Sequence, residues 1–322
     1  MTKQVTIWGA GIAGLIAANV FPQAQVFEKS AAPTSGGNHK ALLRFRSAAV
    51  GEACGIEFRR VRVHKGIWHR GAYVLPDILA ANQYSLKVLG RLADRSIWSL
   101  DPVDRFIAPE SFFEQLLDRV EGRVHWGQDV ASDTDPRQGP VISTIPMPAL
   151  YEILFGPGPL CNDPGQSHAP SSAFNKPKFE RSAITVARWR VPGADVYQTA
   201  YVPDPETSCY RVSMTGDILI AEYMGQAEQF AQFDPAAPFG VWPAQLEPLG
   251  EVKQSFGKIA PINDAWRKQF IFHASHVEGV FSLGRFGTWR NILLDDVLHD
   301  CAVIKRMMAA DAYGRSQEMW KP

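Results

Sequence analysis

Cysteine is scarce. Four are scattered through 322 residues (Cys54, Cys161, Cys209 and Cys301), and no C-x-x-C pair occurs. That spacing argues against a disulfide framework and against the common zinc sites, so no metal site is expected. Net charge is missing as well: 33 Lys and Arg balance 33 Asp and Glu. No global field therefore draws the chain to nucleic acid or to a membrane surface, although a nucleic-acid-linked partner stays open. No apolar run has the length of a membrane span. The first residues enter a strand directly, without a signal-peptide pattern. Internal repeats and low-complexity tracts are also absent. The expectation is a soluble, cytoplasmic protein of a reducing compartment. Its 46% apolar content suits one large two-lobed molecule or two domains.

What is there begins at once. Residues 4–8 form a short β-branched apolar run, as in a buried strand. Gly9, Gly11 and Gly14 follow as G-x-G-x-x-G, then an apolar helix over 12–20 and a second strand over 25–27 that ends in Glu28. Gly9 permits a tight strand-to-helix turn. Gly11 lets the backbone approach a pyrophosphate at the helix N-terminus, where free N–H groups and the dipole favour anions. Gly14 lets the helix pack close to the strand. Glu28 is placed to accept hydrogen bonds from a ribose diol. Strand, glycines, helix, second strand and terminal acid occur together, which reads as a dinucleotide site lined by Gly9, Ala10, Gly11, Ile12, Ala13, Gly14, Glu28 and Lys29.

Downstream, helices are expected over 76–93, over 109–120 with Ser111 and Glu114 in capping-box spacing, and over 291–308. Strands are expected over 61–68, 124–130, 140–144 and 279–283. Residues 156–178, rich in Pro, Gly and Ser, read as a loop. Four short strands between 183 and 223 read as an antiparallel sheet, and 234–250 as a turn-rich tract. Residues 40–70 hold eight Lys and Arg against two Glu. Arg44, Arg46, Arg60 and Arg62 thus mark either a wall for an anionic substrate or a solvated strand face.

Three islands carry a resemblance. The N-terminal motif is followed by Gly36-Gly37-Asn38. The stretch PVISTIPMPAL over 140–150 resembles the strand that leads into the substrate lobe of flavin amine oxidases. The stretch GVFSLGRFGTWRNILLDDVLHDCAVI over 279–304 resembles the closing motif of UDP-galactopyranose mutases and their relatives. The resemblance implies an α/β fold: a Rossmann-like FAD domain of the glutathione-reductase type, with an inserted antiparallel-sheet substrate domain. It implies a discontinuous FAD domain over 1–58, 100–160 and 245–322, with the substrate domain over 59–99 and 161–244.

Residue by residue, the resemblance implies FAD contacts from the fingerprint, Gly36, Gly37, Asn38, Val130, Gly284, Arg285 and Asn291, with the N-terminus of the last helix aimed at the flavin. It suggests catalytic roles for Arg44 and Lys258; Lys258 either matches the lysine that amine oxidases place near the flavin or is a surface lysine. Substrate contacts are expected from Arg46, Arg60, Arg62 and Tyr223. Two departures count against mutase activity. Asn291 and Ile292 stand where the mutases carry tyrosines, and Arg44 and Arg46 stand where they carry a histidine-containing loop. The implied function is an FAD-dependent oxidation of a C–N bond in an anionic amine, such as one linked to a nucleotide. Similarity to short flavoproteins of tailed phages extends this to an amino acid such as glycine attached to a modified thymine in DNA. Redox-neutral chemistry on a sugar nucleotide and non-catalytic dinucleotide binding are the alternatives.

Overall fold

The computed structural model describes residues 4–33, 43–94, 97–130, 139–155, 176–225 and 233–309. The expected Gly36-Gly37-Asn38 loop lies outside them.

The chain opens with β1 (Thr6–Trp8), α1 (Ile12–Val20) and β2 (Gln25–Glu28), at the expected positions. β3 (Arg44–Phe45) and α2 (Ala49–Cys54) follow. Next come β4 (Arg59–His69), its hairpin partner β5 (Ala72–Val74) and α3 (Ile78–Leu89). α3 starts where the Asp77 carboxylate accepts the Ala80 N–H and stops at Gly90, whose φ of 66° suits a residue without a side chain. β6 (Val103–Ile107), α4 (Phe112–Asp118), β7 (Val124–Trp126), β8 (Val141–Ser143) and α5 (Met147–Phe155) complete the first half. The expected capping box at Ser111 does not form. The Ser111 backbone is already near-helical, and its hydroxyl accepts from Gln115 Nε2 instead.

The second half is strand-rich: β9 (Arg181–Arg190), β10 (Val196–Tyr201), β11 (Cys209–Gly216), β12 (Ile218–Met224) and β13 (Glu247–Ile259). It ends with α6 (Asp264–His276), β14 (Val280–Ser282), α7 (Gly284–Gly287) and α8 (Leu294–Ala309). Turns and two short 3-10 helices, Ala237–Phe239 and Pro243–Gln245, fill most of the expected turn-rich tract, but β13 takes its last four residues. Its Pro248 and Gly250 sit at an irregularity in the pairing with β9, where such residues are tolerated.

Two sheets organise these elements. The first is parallel, in the order β14-β8-β1-β2-β7. Ile7, Val26 and Ile142 pack on one face beneath α1, α2, α4 and α8. Trp8, Val141 and Val280 pack on the other beneath α5 and α6. Burial on both faces explains the continuous apolar strands. The second sheet runs β13-β9-β12-β11-β10-β4-β6-β3 and is antiparallel apart from the β4–β10 pair. Its inner face holds Ile67, Val186 and Ile220 under α3. Its outer face holds Val212, Leu219 and Tyr223. β3, β6 and β13 belong to this second sheet, so the boundaries expected at 58, 100 and 245 do not follow the strands. No helix among the described residues is long and apolar enough to cross a membrane.

Candidate cofactor and substrate site

The carboxyl ends of β1, β2, β8 and β14 meet along one edge of the parallel sheet, the usual place for a ligand in such folds. Gly9 turns there with φ of 97°, and a Cβ on it would sit 2.4 Å from Thr144 Oγ1. A Cβ on Gly14 would sit 1.9 Å from the Gly9 carbonyl oxygen, so helix and turn touch backbone to backbone. Gly11 differs: nothing stands within 4 Å of where its Cβ would be. As the N-cap of α1 it has no side chain to close the helix end. The first intrahelical N–H bond runs from Leu15 to the Gly11 carbonyl at 2.9 Å, which leaves the earlier N–H groups for an external acceptor. The glycines thus leave a vacant approach to a positive helix end.

Glu28 stands beside this turn. Its Oε2 accepts the Ala10 N–H at 2.8 Å and its Oε1 the Ser30 N–H at 3.0 Å. The carboxylate is fixed by backbone and keeps lone pairs for further donors. The neighbouring Lys29 is exposed. Val130 is buried against the core that holds Met147 and Trp266. The closing turn comes to the fingerprint: Gly284 has φ of 79°, and a Cβ there would lie 3.1 Å from Ala13 Cβ. Arg285 donates from Nη2 to the Gly257 carbonyl at 3.2 Å, while its Nε is buried with no acceptor. Burial lowers its pKa. Asn291, after this turn, is exposed.

A second cluster lies on the inner face of the second sheet, the roof sheet, and was not read from the sequence. Tyr201, Arg211 and Glu222 stand side by side in register on β10, β11 and β12. Between Cys209 and Arg211 the register shifts, so Tyr210 is an extra residue in β11. Such a bulge re-aims side chains. Here it lets two consecutive residues reach one carboxylate. Tyr210 Oη donates to Glu222 Oε1 at 2.8 Å, and Arg211 Nε donates to Oε2. Lys258 Nζ lies 4.5 Å from the centroid of the Tyr210 ring, so it is no surface lysine. Tyr84 packs edge-on against Tyr201 with centroids 5.5 Å apart.

Burial acts to raise the Glu222 pKa, but Arg211, Lys258 and the Tyr210 hydroxyl outweigh it and hold the group below its ordinary value. Burial acts the other way on Arg211, and Glu222 overcomes it. Arg211 keeps 39% of its side-chain surface accessible. The cluster sets Arg211, Lys258 and Arg285 against one carboxylate and is net positive.

The four arginines of the basic stretch do not form one wall. Arg44 is half-buried, with its guanidinium committed to the roof. Nε donates to Thr215 Oγ1 at 2.8 Å, Nη1 to Thr199 Oγ1 at 2.7 Å, and Nη2 to the carbonyls of Gln198 and Met214 at 3.1 and 2.6 Å. Burial, with Arg211 nearby, lowers its pKa to about 10. Arg44 is a strut between β3 and the roof. Arg46 pairs with Asp295 and Asp296 in the first turn of α8, so these carboxylates meet the helix end expected to face a flavin. Arg60 and Arg62 share a face, as their spacing predicts, but it is exposed and both pair with Asp104. Tyr223 points away from the cluster. It is buried on the outer face of the roof sheet, because the alternation that turns Glu222 inward turns its neighbour out.

No family model and no curated protein matches the sequence. Solved structures do. A crystal structure of reduced UDP-galactopyranose mutase matches with a TM-score of 0.65 at 13% identity, over 99% of this chain and 97% of that one. Putrescine oxidase bound to putrescine matches with a TM-score of 0.57 at 12% identity, over 96% and 99%. A probable FAD-dependent monooxygenase from Pseudomonas aeruginosa matches with a TM-score of 0.52 at 14% identity, over 98% and 91%. The chain has the α/β fold that these oxidoreductases and the mutase share, over nearly its whole length.

Proposed function

We propose that the protein is an FAD-dependent oxidoreductase acting on an amine that carries an anionic group. The observation behind the cofactor is the vacant approach at Gly11, between the free N–H groups of α1 and the fixed carboxylate of Glu28. The same residues fit FAD throughout. The start of α1 would hold the pyrophosphate, Glu28 the adenosine ribose, and the turn at Gly284 would close over it. Bound FAD would supply the acceptor for a hydride from the amine carbon.

The chain's own residues bind and orient. Arg211, Lys258 and Arg285 form the net-positive end of the proposed substrate site and would take the substrate's carboxylate or phosphate. The aromatic surfaces of Tyr84, Tyr201 and Tyr210 exclude water from that end. Glu222 holds Arg211 and Tyr210 in place. One form of such a substrate is an amino acid, such as glycine, joined to a nucleotide or to a modified thymine.

A redox-neutral reaction on a sugar nucleotide is the second reading, because the same three cations also match a diphosphate. Incubating the purified protein anaerobically with carboxylated amines, then with UDP-galactopyranose, separates the two. The proposal expects an anionic amine to bleach the flavin band and, in air, to yield hydrogen peroxide. Ring isomerisation that requires pre-reduced protein, with no bleaching by any amine, would replace it.

A further inference from the structure

β14 is the edge strand of the parallel sheet, and α6 and α8 flank it on opposite faces. Between the two helices, against this edge, lies a cavity of about 420 Å³, within the size range of small-molecule sites. A short turn joins α6 to β14, and the closing turn joins β14 to α8, so both helices run opposite to the strand. The cavity therefore has two unlike ends. Arg267 and Lys268 from the start of α6 stand with Ser282 from the end of β14 and Arg290 from the closing turn. The remaining wall is mostly apolar, with Ile271, Phe281, Val303, Ile304 and Met307. His276 sits at the far end, stacked on Phe272 with ring centroids 4.1 Å apart. None of the fingerprint residues lines this space.

Two observations specify the occupant. Ser282 is 8% exposed, and its Oγ is buried without a hydrogen-bond partner, although a buried hydroxyl ordinarily has one. The charges around it do not cancel. Asp264 pairs with both Arg267 and Lys268, and Asp300 pairs with Arg290, so three cations meet two carboxylates. Arg290 also donates from Nε to Thr288 Oγ1 at 3.1 Å. Among the described residues, Nη1 of Arg267 and Nη1 of Arg290 have no acceptor. One net positive charge and a spare hydroxyl at one end of an apolar cavity match a single anion on a hydrocarbon body. We infer that this cavity binds a medium-chain carboxylate. Its head lies at Ser282, Arg267 and Arg290, and its chain runs along Phe281, Ile304 and Met307. A nucleotide fits the same wall poorly, because it brings a polar sugar and more than one negative charge.

Isothermal titration calorimetry of the purified full chain with octanoate tests this. Burial of the methylene chain predicts one site per protein, with a dissociation constant on the order of 100 μM. Octylammonium, of equal length and opposite charge, should bind at least tenfold more weakly. Ser282→Ala should weaken octanoate at least threefold without lowering the melting temperature, since that hydroxyl has no partner to lose. Lys268→Glu changes a side chain that is 71% exposed and reverses the net charge of that end. It should weaken octanoate at least fivefold and abolish the preference over octylammonium. Met307→Trp should fill the apolar end and remove binding; if it melts early, Lys268→Glu decides. A wild type that takes up no octanoate at about 5 mM overturns the inference. Equal affinity for octanoate and octylammonium also overturns it, leaving an apolar cavity with no anion site. So does binding that these variants leave intact, which would place the carboxylate elsewhere, as at Arg211.

Discussion

Arg211 and Glu222 form an ion pair inside the roof sheet, and one inserted residue, Tyr210, determines that the same carboxylate is also held from a second side. Neither partner belongs to a recognisable motif. Their value lies in orientation: with Glu222 engaged by both, Arg211 is held in one cluster with Lys258 and Arg285.

Replacing Glu222 by Gln should therefore leave a half-buried arginine without its counter-charge, at a cost of about 1–2 kcal/mol once solvent screening is allowed for. The carboxylate is held below its ordinary pKa of 4.5. Its stabilising effect is thus present above that value and is lost as pH falls through the lower, folded-state value. Chemical denaturation as a function of pH should show a steeper acid loss in the wild type than in Glu222→Gln. Equal slopes would remove the carboxylate from the account.

Arg44 should prove structural. Arg44→Gln removes a guanidinium from four acceptors in the roof and should destabilise the protein by about 3 kcal/mol or more. At temperatures where the variant is folded, turnover should stay within a fewfold of wild type. A loss of kcat by orders of magnitude without a fall in stability would restore Arg44 to the chemistry.

Arg60→Gln with Arg62→Gln should change neither the melting temperature nor the Michaelis constant. Both side chains are exposed and paired with Asp104 in solvent, where such pairs contribute little. A raised Michaelis constant would show that this face meets substrate.

Glu28→Ala should weaken cofactor binding at least tenfold, because the carboxylate both holds the fingerprint turn and offers charge-assisted bonds worth roughly 1.5–3 kcal/mol each. Titration of apoprotein with FAD, followed by fluorescence quenching, reads this directly. A dissociation constant unchanged within about threefold would reject the role.

How far this was legible depended on sequence distance. The fingerprint was, because Gly9, Gly11, Gly14 and Glu28 act within one β-α-β unit, and the helix and strand over 12–28 fall where expected. The four strands over 183–223 read as one meander, and the turns made that legible from β10 to β12, but β9 pairs with β12 and β13 rather than with β10. The Arg44 strut was not: its acceptors at 198, 199, 214 and 215 lie more than 150 residues away. The apparent surplus of positive charge was misleading for the same reason, since Asp104, Asp295 and Asp296 neutralise it from other elements. The inward turn of Tyr210 and Arg211 depends on a bulge that alternation alone does not reveal. The start of α6 did carry a signal that was missed, the Asn263 side chain that accepts the Trp266 N–H at 2.9 Å.

The most direct test of the central claim is the identity of the group bound to the fingerprint. The purified protein, or apoprotein reconstituted with FAD, should absorb near about 375 and 450 nm and release one FAD per chain on denaturation. Gly14→Ala, whose Cβ has no room against the Gly9 carbonyl, should abolish that binding. A colourless protein that takes up NAD and cannot be reconstituted with FAD would contradict the account.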